Sequence, residues 1–351
     1  MAILEENPKF GLNTMVDTEK GKFKFFDVEM RDSKKGGYGE ITLREAFKVS
    51  SNIGIAKLVN QTFYHKKELQ KKYIDYLIKF GLNKKMGFQL KGSATPNIKT
   101  PLDESWSGIS LPWMSIGYEA EMSPLQMLAL YNTVANDGYY VKPRLVKSIS
   151  QDGELMKEFK IEKASIPICS PSTIKSVKEM LWAVVNEKGG TAYSQRSAQY
   201  SLSGKTGTKQ LLKNNIYVHE YYATFAGFFP SEKPKYSIVV AIDHPKNGKF
   251  YGSQVAAPVF KDIADKIYKN DLELHPHLSL KFNTEKGVFP IVQSGFYSDL
   301  KILCQEMNLN YWGGAGELWV KAKRDDELKQ IKWLDIIIKD EEVPDVRGMT
   351  L

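Results

Sequence analysis

The chain has 351 residues, 42% of them hydrophobic, enough to bury a sizeable core and to hold two domains or one large domain with a tail. Its 49 Lys and Arg against 41 Asp and Glu give a charge of +8 with the two signs interspersed, the pattern of a solvated mixed-charge surface. The densest basic runs, Lys66-Lys67, Lys71-Lys72 and Lys84-Lys85, are short and lie on or near one helix, so no nucleic-acid partner is expected.

Cys169 and Cys304 stand far apart and outside any C-x-x-C, which leaves no disulfide framework or zinc site to argue and the redox compartment undecided. The opening residues, MAILEENPKFGLN, carry neither a basic region nor a long apolar run, and no stretch approaches the ~20 apolar residues that span a bilayer.

Residues 42–63 read as two helical pieces, the first opened by a capping box from Thr42 to Glu45 and the two joined at a polar hinge, Ser50-Ser51-Asn52. A helix over 66–80 places Leu69, Tyr73, Leu77 and Phe80 on one face and stops at Gly81. Residues 83–115, rich in Gly, Ser, Pro and Thr without a sustained period, are expected to form loops and short turns. Ser123, Pro124 and Gln126 start a further helix that Gly138 ends. Ser170-Pro171-Ser172 announces another, with Ile174, Val177, Leu181 and Val184 on one face and an end near Gly189-Gly190.

Strands follow over 201–211, 221–229 and 236–243, and their short connections imply an antiparallel meander. A closing helix over 255–268, with Val259, Ile263 and Ile267 on one side, is expected to cover one face of that sheet. The fold class is α+β. Past Asn270 the texture changes, and residues 271–342 read as a small separate module.

Two segments point to chemistry. In Ser203-Gly204-Lys205-Thr206-Gly207-Thr208, two glycines weaken a strand, a cost usually explained by another backbone or a ligand coming close. Lys205 can supply a fixed positive charge there while Thr206 and Thr208 donate to a carboxylate, each charge-assisted bond contributing about 1.5 to 3 kcal/mol. An ordinary glycine-containing edge strand explains the tripeptide Lys205-Thr206-Gly207 equally well. Ser50-Ser51-Asn52 reads most simply as helix caps, and gains weight only beside Lys-Thr-Gly, since the two together are two thirds of the set found in penicillin-binding proteins and β-lactamases. The five histidines, His65, His219, His244, His275 and His277, lack metal spacing, so no metal and no cofactor is expected.

The resemblance extends well beyond these motifs. ITLREAFKVSSNIGIAKLV is similar to the Ser-x-Asn region of class B penicillin-binding proteins, MSPLQMLALYNTVANDGYYVKPRLV to their long central helix and next strand, and SLSGKTGTKQ to their active-site strand. YYATFAGFFP, YSIVVAID and VAAPVFKDIADKI follow in the family's order, so the likeness covers about residues 1–270, the expected transpeptidase domain. Residues 343–351, VPDVRGMTL, resemble the start of a PASTA module, a small wall-binding domain, which points to a division-type member.

The family's nucleophile is the serine of a Ser-x-x-Lys lying upstream of Ser-x-Asn, and none of the 49 residues before Ser50 forms that motif. MAILEE resembles the helix just after it, so N-terminal truncation and an inactive chain are expected. Ser172 to Lys175 and Ser298 to Lys301 match the pattern but lie out of order, Ser172 at a helix start where capping explains it.

The resemblance implies a peptidoglycan D,D-transpeptidase acting by serine acyl transfer. In it Ser50 relays a proton to the leaving D-alanine, Asn52 holds the acyl amide, Lys205 supports the proton network, and Thr206, Gly207 and Thr208 line the carboxylate and oxyanion sites. Its implied partners are peptidoglycan stem peptides, β-lactam antibiotics, a glycosyltransferase and division or elongation proteins, on the outer face of the cytoplasmic membrane. No Glu-x-x-x-Asn, the class A β-lactamase pattern, separates Ser-x-Asn from Lys-Thr-Gly, which favours a transpeptidase over a hydrolase. A non-catalytic sensor or wall-peptide binding module of the same fold is the alternative.

Overall fold

A computed structural model of the chain describes residues 1–83, 85–87, 94–213, 216–275, 294–306, 309–314, 319–325 and 330–335. The chain divides into two compact units, Met1–His275 and Pro276–Leu351.

The first unit begins with α1 (Ala2–Glu6) and four short strands, β1 (Met15–Asp17), β2 (Lys22–Phe25), β3 (Val28–Arg31) and β4 (Glu40–Thr42). β1 pairs antiparallel with β4, and β2 with β3 as a hairpin. The expected pair of helices follows as α2 (Leu43–Lys48) and α3 (Asn52–Phe63), capped by Thr42, which accepts from the Glu45 N–H, and by Ser51, which accepts from the Gly54 N–H. α4 (Lys67–Lys79) buries Tyr73 and Ile74 and ends at Gly81, whose φ of +82° suits a residue without a Cβ.

Residues 94–115 are mostly irregular but hold β5 (Asn97–Ile98) and a six-residue helix, α5 (Ser110–Ser115). The expectation of loops and short turns therefore missed α5, which lacks a side-chain cap and is too short to show a period, but buries Leu111 and Met114. After β6 (Ala120–Glu121) comes α6 (Pro124–Ala135), where both halves of the Ser123/Gln126 capping box are formed. An exposed hairpin of β7 (Ser148–Gln151) and β8 (Glu154–Glu158) leads to α7 (Pro171–Asn186), capped by Ser170 and burying Ile174, Val177, Leu181 and Val184 as its period required.

The sheet is the expected meander of β9 (Ser203–Lys213), β10 (Ile216–Phe229) and β11 (Tyr236–Asp243), in the order β11-β10-β9 and antiparallel throughout. Alternation along β10 sends Phe225 and Phe229 to one face and Phe228 to the other. Phe228 joins the helical core of α3, α4 and α7, with Phe63, Leu58 and Met180. Phe225 and Phe229 pack under α8 (Gly252–Asn270) with Ala256, Phe260 and Ala264.

The closing helix thus covers the sheet, but not by the expected face. Val259 and Ile263 are 40% and 37% exposed, and of that row Ile267 alone packs against the core. The buried row is Ala256, Ala257, Phe260, Ala264 and Tyr268. Small alanines let the helix axis approach the sheet closely enough for Phe260 to reach Phe225, with ring centroids 4.8 Å apart.

The second unit, in its described residues, is a sheet of β12 (Ser294–Phe296), β13 (Tyr311–Gly313), β14 (Trp319–Asp325) and β15 (Gln330–Asp335), with α9 (Tyr297–Glu306). Leu300, Cys304, Val320 and Trp333 form its core. Residues 343–351, with the resemblance to a PASTA start, lie outside the described residues.

The position of α8 yields a first expected outcome. Phe260→Ala should cost about 3 to 5 kcal/mol in urea unfolding, whereas Val259→Ala on the exposed side should stay within about 0.5 kcal/mol. A larger cost for Val259→Ala than for Phe260→Ala would show that the helix packs by the other face.

Candidate active site

α2 does not merely stop before α3; it closes with a Schellman motif. The Ser51 N–H bonds the Ala46 carbonyl at 2.8 Å and the Ser50 N–H bonds the Phe47 carbonyl at 3.2 Å. Ser50 occupies the left-handed position of that motif, with φ +58°, where glycine is the usual residue and a side chain costs on the order of 1–3 kcal/mol. Ser51 then serves as N-cap of α3, so three consecutive residues end one helix and start the next. The capping reading of Ser50-Ser51-Asn52 holds for Ser51, while Ser50 is held in an unfavourable conformation that aims its hydroxyl elsewhere.

It is aimed at Lys205. The Lys205 Nζ donates to Ser50 Oγ at 2.8 Å, across 155 residues of sequence, and to the Thr206 carbonyl at 3.2 Å. The ammonium also lies 5.8 Å from the centroid of the Phe47 ring. Among the described residues no carboxylate pairs with Lys205, and burial away from water lowers its pKa from 10.5 to about 8. A lysine titrating there can give or take a proton near neutrality, which an exposed lysine does poorly.

Alternation on β9 turns Thr206 and Thr208 to the face of α8. The Thr206 and Thr191 hydroxyls are 3.0 Å apart, and the Thr191 N–H bonds the Lys48 carbonyl at 3.3 Å. The Thr208 hydroxyl, on an exposed residue, accepts from the Gly252 N–H at 3.0 Å. Asn52 donates its amide to the Arg31 carbonyl at 2.9 Å. Among the described residues no hydrogen bond joins Asn52 or Thr208 to Ser50 or Lys205, so the hydrogen-bonded group is Ser50, Lys205 and Thr206, and the other two bond elsewhere.

The two strand glycines mark close approaches, but of side chains within the sheet. A Cβ on Gly207 would collide with the Thr224 hydroxyl, and one on Gly204 would come within 2.6 Å of the Phe225 ring. Gly252 in turn packs onto the backbone of Gly207 and Thr224. Sequence reasoning missed three residues that shape this site: Phe47, Thr191 and Asp32. Thr191 follows the glycines that end a helix and gives no further signal. Asp32 follows a strand too short to stand out.

The two out-of-order Ser-x-x-Lys serines are elsewhere. Ser172 is exposed in the first turn of α7, its Oγ 3.1 Å from that of the cap Ser170, and Ser298 is exposed on α9. Among the described residues no three His, Cys, Asp or Glu side chains gather as metal ligands.

The family described as the penicillin binding protein transpeptidase domain matches residues 1–265. The chain is 33% identical over 261 residues to penicillin-binding protein PbpB of Mycolicibacterium smegmatis, covering 71% of this chain and 39% of that protein. It is 28% identical over 329 residues to stage V sporulation protein D of Bacillus subtilis, covering 90% and 48%, and 30% identical over 230 residues to peptidoglycan D,D-transpeptidase FtsI of Buchnera aphidicola, covering 65% and 38%. The chain spans less than half the length of these relatives. Among solved structures, the apo TP domain of Burkholderia pseudomallei penicillin-binding protein 3 superposes with a TM-score of 0.65 at 26% identity, covering 79% of this chain and 78% of that one. Penicillin-binding protein 3 of Mycobacterium tuberculosis, complexed with ampicillin, superposes with a TM-score of 0.65 at 27% identity, covering 79% and 62%.

The depressed pKa of Lys205 makes a stability prediction with a definite sign. Between pH 8 and 10.5 the unfolded chain holds a proton on Lys205 that the folded chain has lost, so this residue's contribution to stability should rise with pH across that window. Below pH 8 the full cost of burying the charge applies. Urea unfolding of the chain and of Lys205→Met at pH 7 and 9.5 should show that rise in the parent and not in the variant; parallel curves would mean that Lys205 titrates normally.

Proposed function

The chain belongs to the penicillin-binding protein transpeptidase domain family, and from that premise we propose that it carries the proton-relay and carboxylate-binding part of a peptidoglycan D,D-transpeptidase. The observation that carries this reading is the hydrogen bond from Lys205 to Ser50, in a site where each partner comes from a separate motif and, among the described residues, neither is tied to a carboxylate.

The reaction is acyl transfer through a serine ester. A serine hydroxyl attacks the carbonyl of the penultimate D-alanine of a stem peptide, the C–N bond breaks, and the terminal D-alanine leaves with the proton passed through Ser50. An amine of a second stem peptide then attacks the ester, forms the cross-link and returns the serine. Lys205, lowered to about 8, can donate to the Ser50 oxygen while Ser50 hands its own proton on, so that the hydroxyl relays a proton without becoming charged itself. Thr206 and Thr208 bind the substrate carboxylate, Asn52 turns its amide from Arg31 to the acyl chain, and the Thr208 backbone N–H supplies one oxyanion donor, a group whose loss costs roughly 2.7 to 4 kcal/mol of barrier. β-Lactams enter the same site, as the ampicillin complex of the M. tuberculosis neighbour supports. The place of action is the outer face of the cytoplasmic membrane, beside a glycosyltransferase, and the septal assignment rests on the PASTA-like residues 343–351.

No Ser-x-x-Lys precedes Ser50 in these residues, and this reading takes the ester-forming serine from outside them. The same observation keeps a second reading in view, a non-catalytic sensor of this fold. Both are tested by intact mass after exposure to benzylpenicillin. The chain should gain no mass, and a protein with a family Ser-x-x-Lys segment joined ahead of Met1 should gain one penicillin. In that protein Lys205→Ala should slow acylation by on the order of 100-fold. Acylation of the chain alone would overturn the assignment, and a joined protein that binds without acylation would favour the sensor.

A further inference from the structure

Asp32 directly follows β3, and its side chain is 8% exposed with both carboxylate oxygens in use. Oδ2 accepts from the Ser51 hydroxyl at 2.8 Å and Oδ1 from the Ile53 N–H at 3.1 Å. The carbonyl of the preceding residue, Arg31, accepts from Asn52. Two consecutive residues of one hairpin thus hold the three positions that follow Ser50. The hairpin is itself anchored: the Asp32 N–H bonds the Gly21 carbonyl at 3.1 Å, and Phe25 and Met30 pack with Ile53 and Ala56.

Capping α3 does not require this carboxylate. Ser51 alone satisfies the Gly54 N–H, as a serine N-cap ordinarily does. Burying a carboxylate is unfavourable, and among the described residues no Lys or Arg pairs with Asp32; its charge is met by the two donors and by the positive end of α3. What the carboxylate adds is direction. By accepting from Ser51 it turns the serine lone pair to Gly54, and by taking Ile53 as well it fixes the first turn of α3, so the backbone strain at Ser50 cannot relax by rotation of the next residues. We propose that Asp32 is a positioning residue, which locks the Ser50-Ser51-Asn52 turn so that the Ser50 hydroxyl stays on Lys205.

This inference rests on the transpeptidase reading for its meaning, but its test needs neither substrate nor antibiotic. In the full chain, the pH dependence of amine acetylation at each lysine is followed by peptide mass spectrometry, with the other lysines as internal controls. In Asp32→Ala both contacts are lost, that to the Ser51 hydroxyl and that to the Ile53 N–H. Ser50 should leave its left-handed conformation and water should reach Lys205, moving its half-point from about 8 toward 10.5 while the other lysines stay unchanged. A fall in Tm with the Lys205 half-point unmoved would reduce Asp32 to a structural cap and overturn the proposal. Should Asp32→Ala fail to fold, Asp32→Ser, whose shorter hydroxyl cannot bridge the Ser51 hydroxyl and the Ile53 N–H together, is read by the same two outcomes. Failure of the chain to belong to a penicillin-acylated enzyme would leave this measurement intact.

Discussion

The hydrogen bond between Lys205 and Ser50 sets the terms for everything around it. One partner stands on an edge of the described sheet and the other on a turn between helices, so their meeting depends on two separately packed cores keeping register. An ion cluster helps to align them. Arg44 on α2 donates through two nitrogens to Glu187 at the end of α7, and through Nε to Glu179. Lys48, one turn on from Arg44, pairs with Glu45 and Glu187. Arg44 holds the Glu187 carboxyl below the usual range. Lys48 is buried while its partners keep contact with water, so the worth of the cluster lies less in raw energy than in fixing where α2 ends relative to the loop that carries Thr191.

Lys205 and Ser50 differ in how their environments prepare them. The lysine is altered by what is missing: among the described residues no carboxylate offsets the loss of water, and its charge becomes easy to discard. The serine is altered by what is imposed, since a Schellman closure selects a backbone conformation that serine adopts only when its neighbours over-determine it. The common result is a pre-set geometry, which spares a reaction the reorganisation that water would demand.

Much of this was legible in the order of residues. Capping signals at Thr42, Ser123 and Ser170 located helices well because a cap is a local contract between a side chain and backbone three residues away. The meander followed from short turns, and the motifs identified Ser50 and Lys205. Other features were hidden for stated reasons. On α8 two rows share the same spacing, and hydrophobicity favoured Val259 and Ile263 over alanines whose value is their smallness. The glycines of β9 announced a close approach, but only coordinates reveal that Thr224 and Phe225 are what approaches. Asp32 gave no signal, because its partners lie 19 and 21 residues away in a turn that sequence cannot pose. The left-handed state of Ser50 was equally silent, since the usual marker of that state is a glycine.

That last substitution has a bearing on how such a chain drifts. Glycine at position 50 would fit the helix ending without strain, so folding stability alone pulls this position toward losing its side chain. The proposed chemistry pulls the other way, since glycine would remove the hydroxyl that accepts from Lys205. A lineage freed from catalysis has a ready path downhill at this single codon, and its first step would leave the helices, the sheet and the lysine all in place.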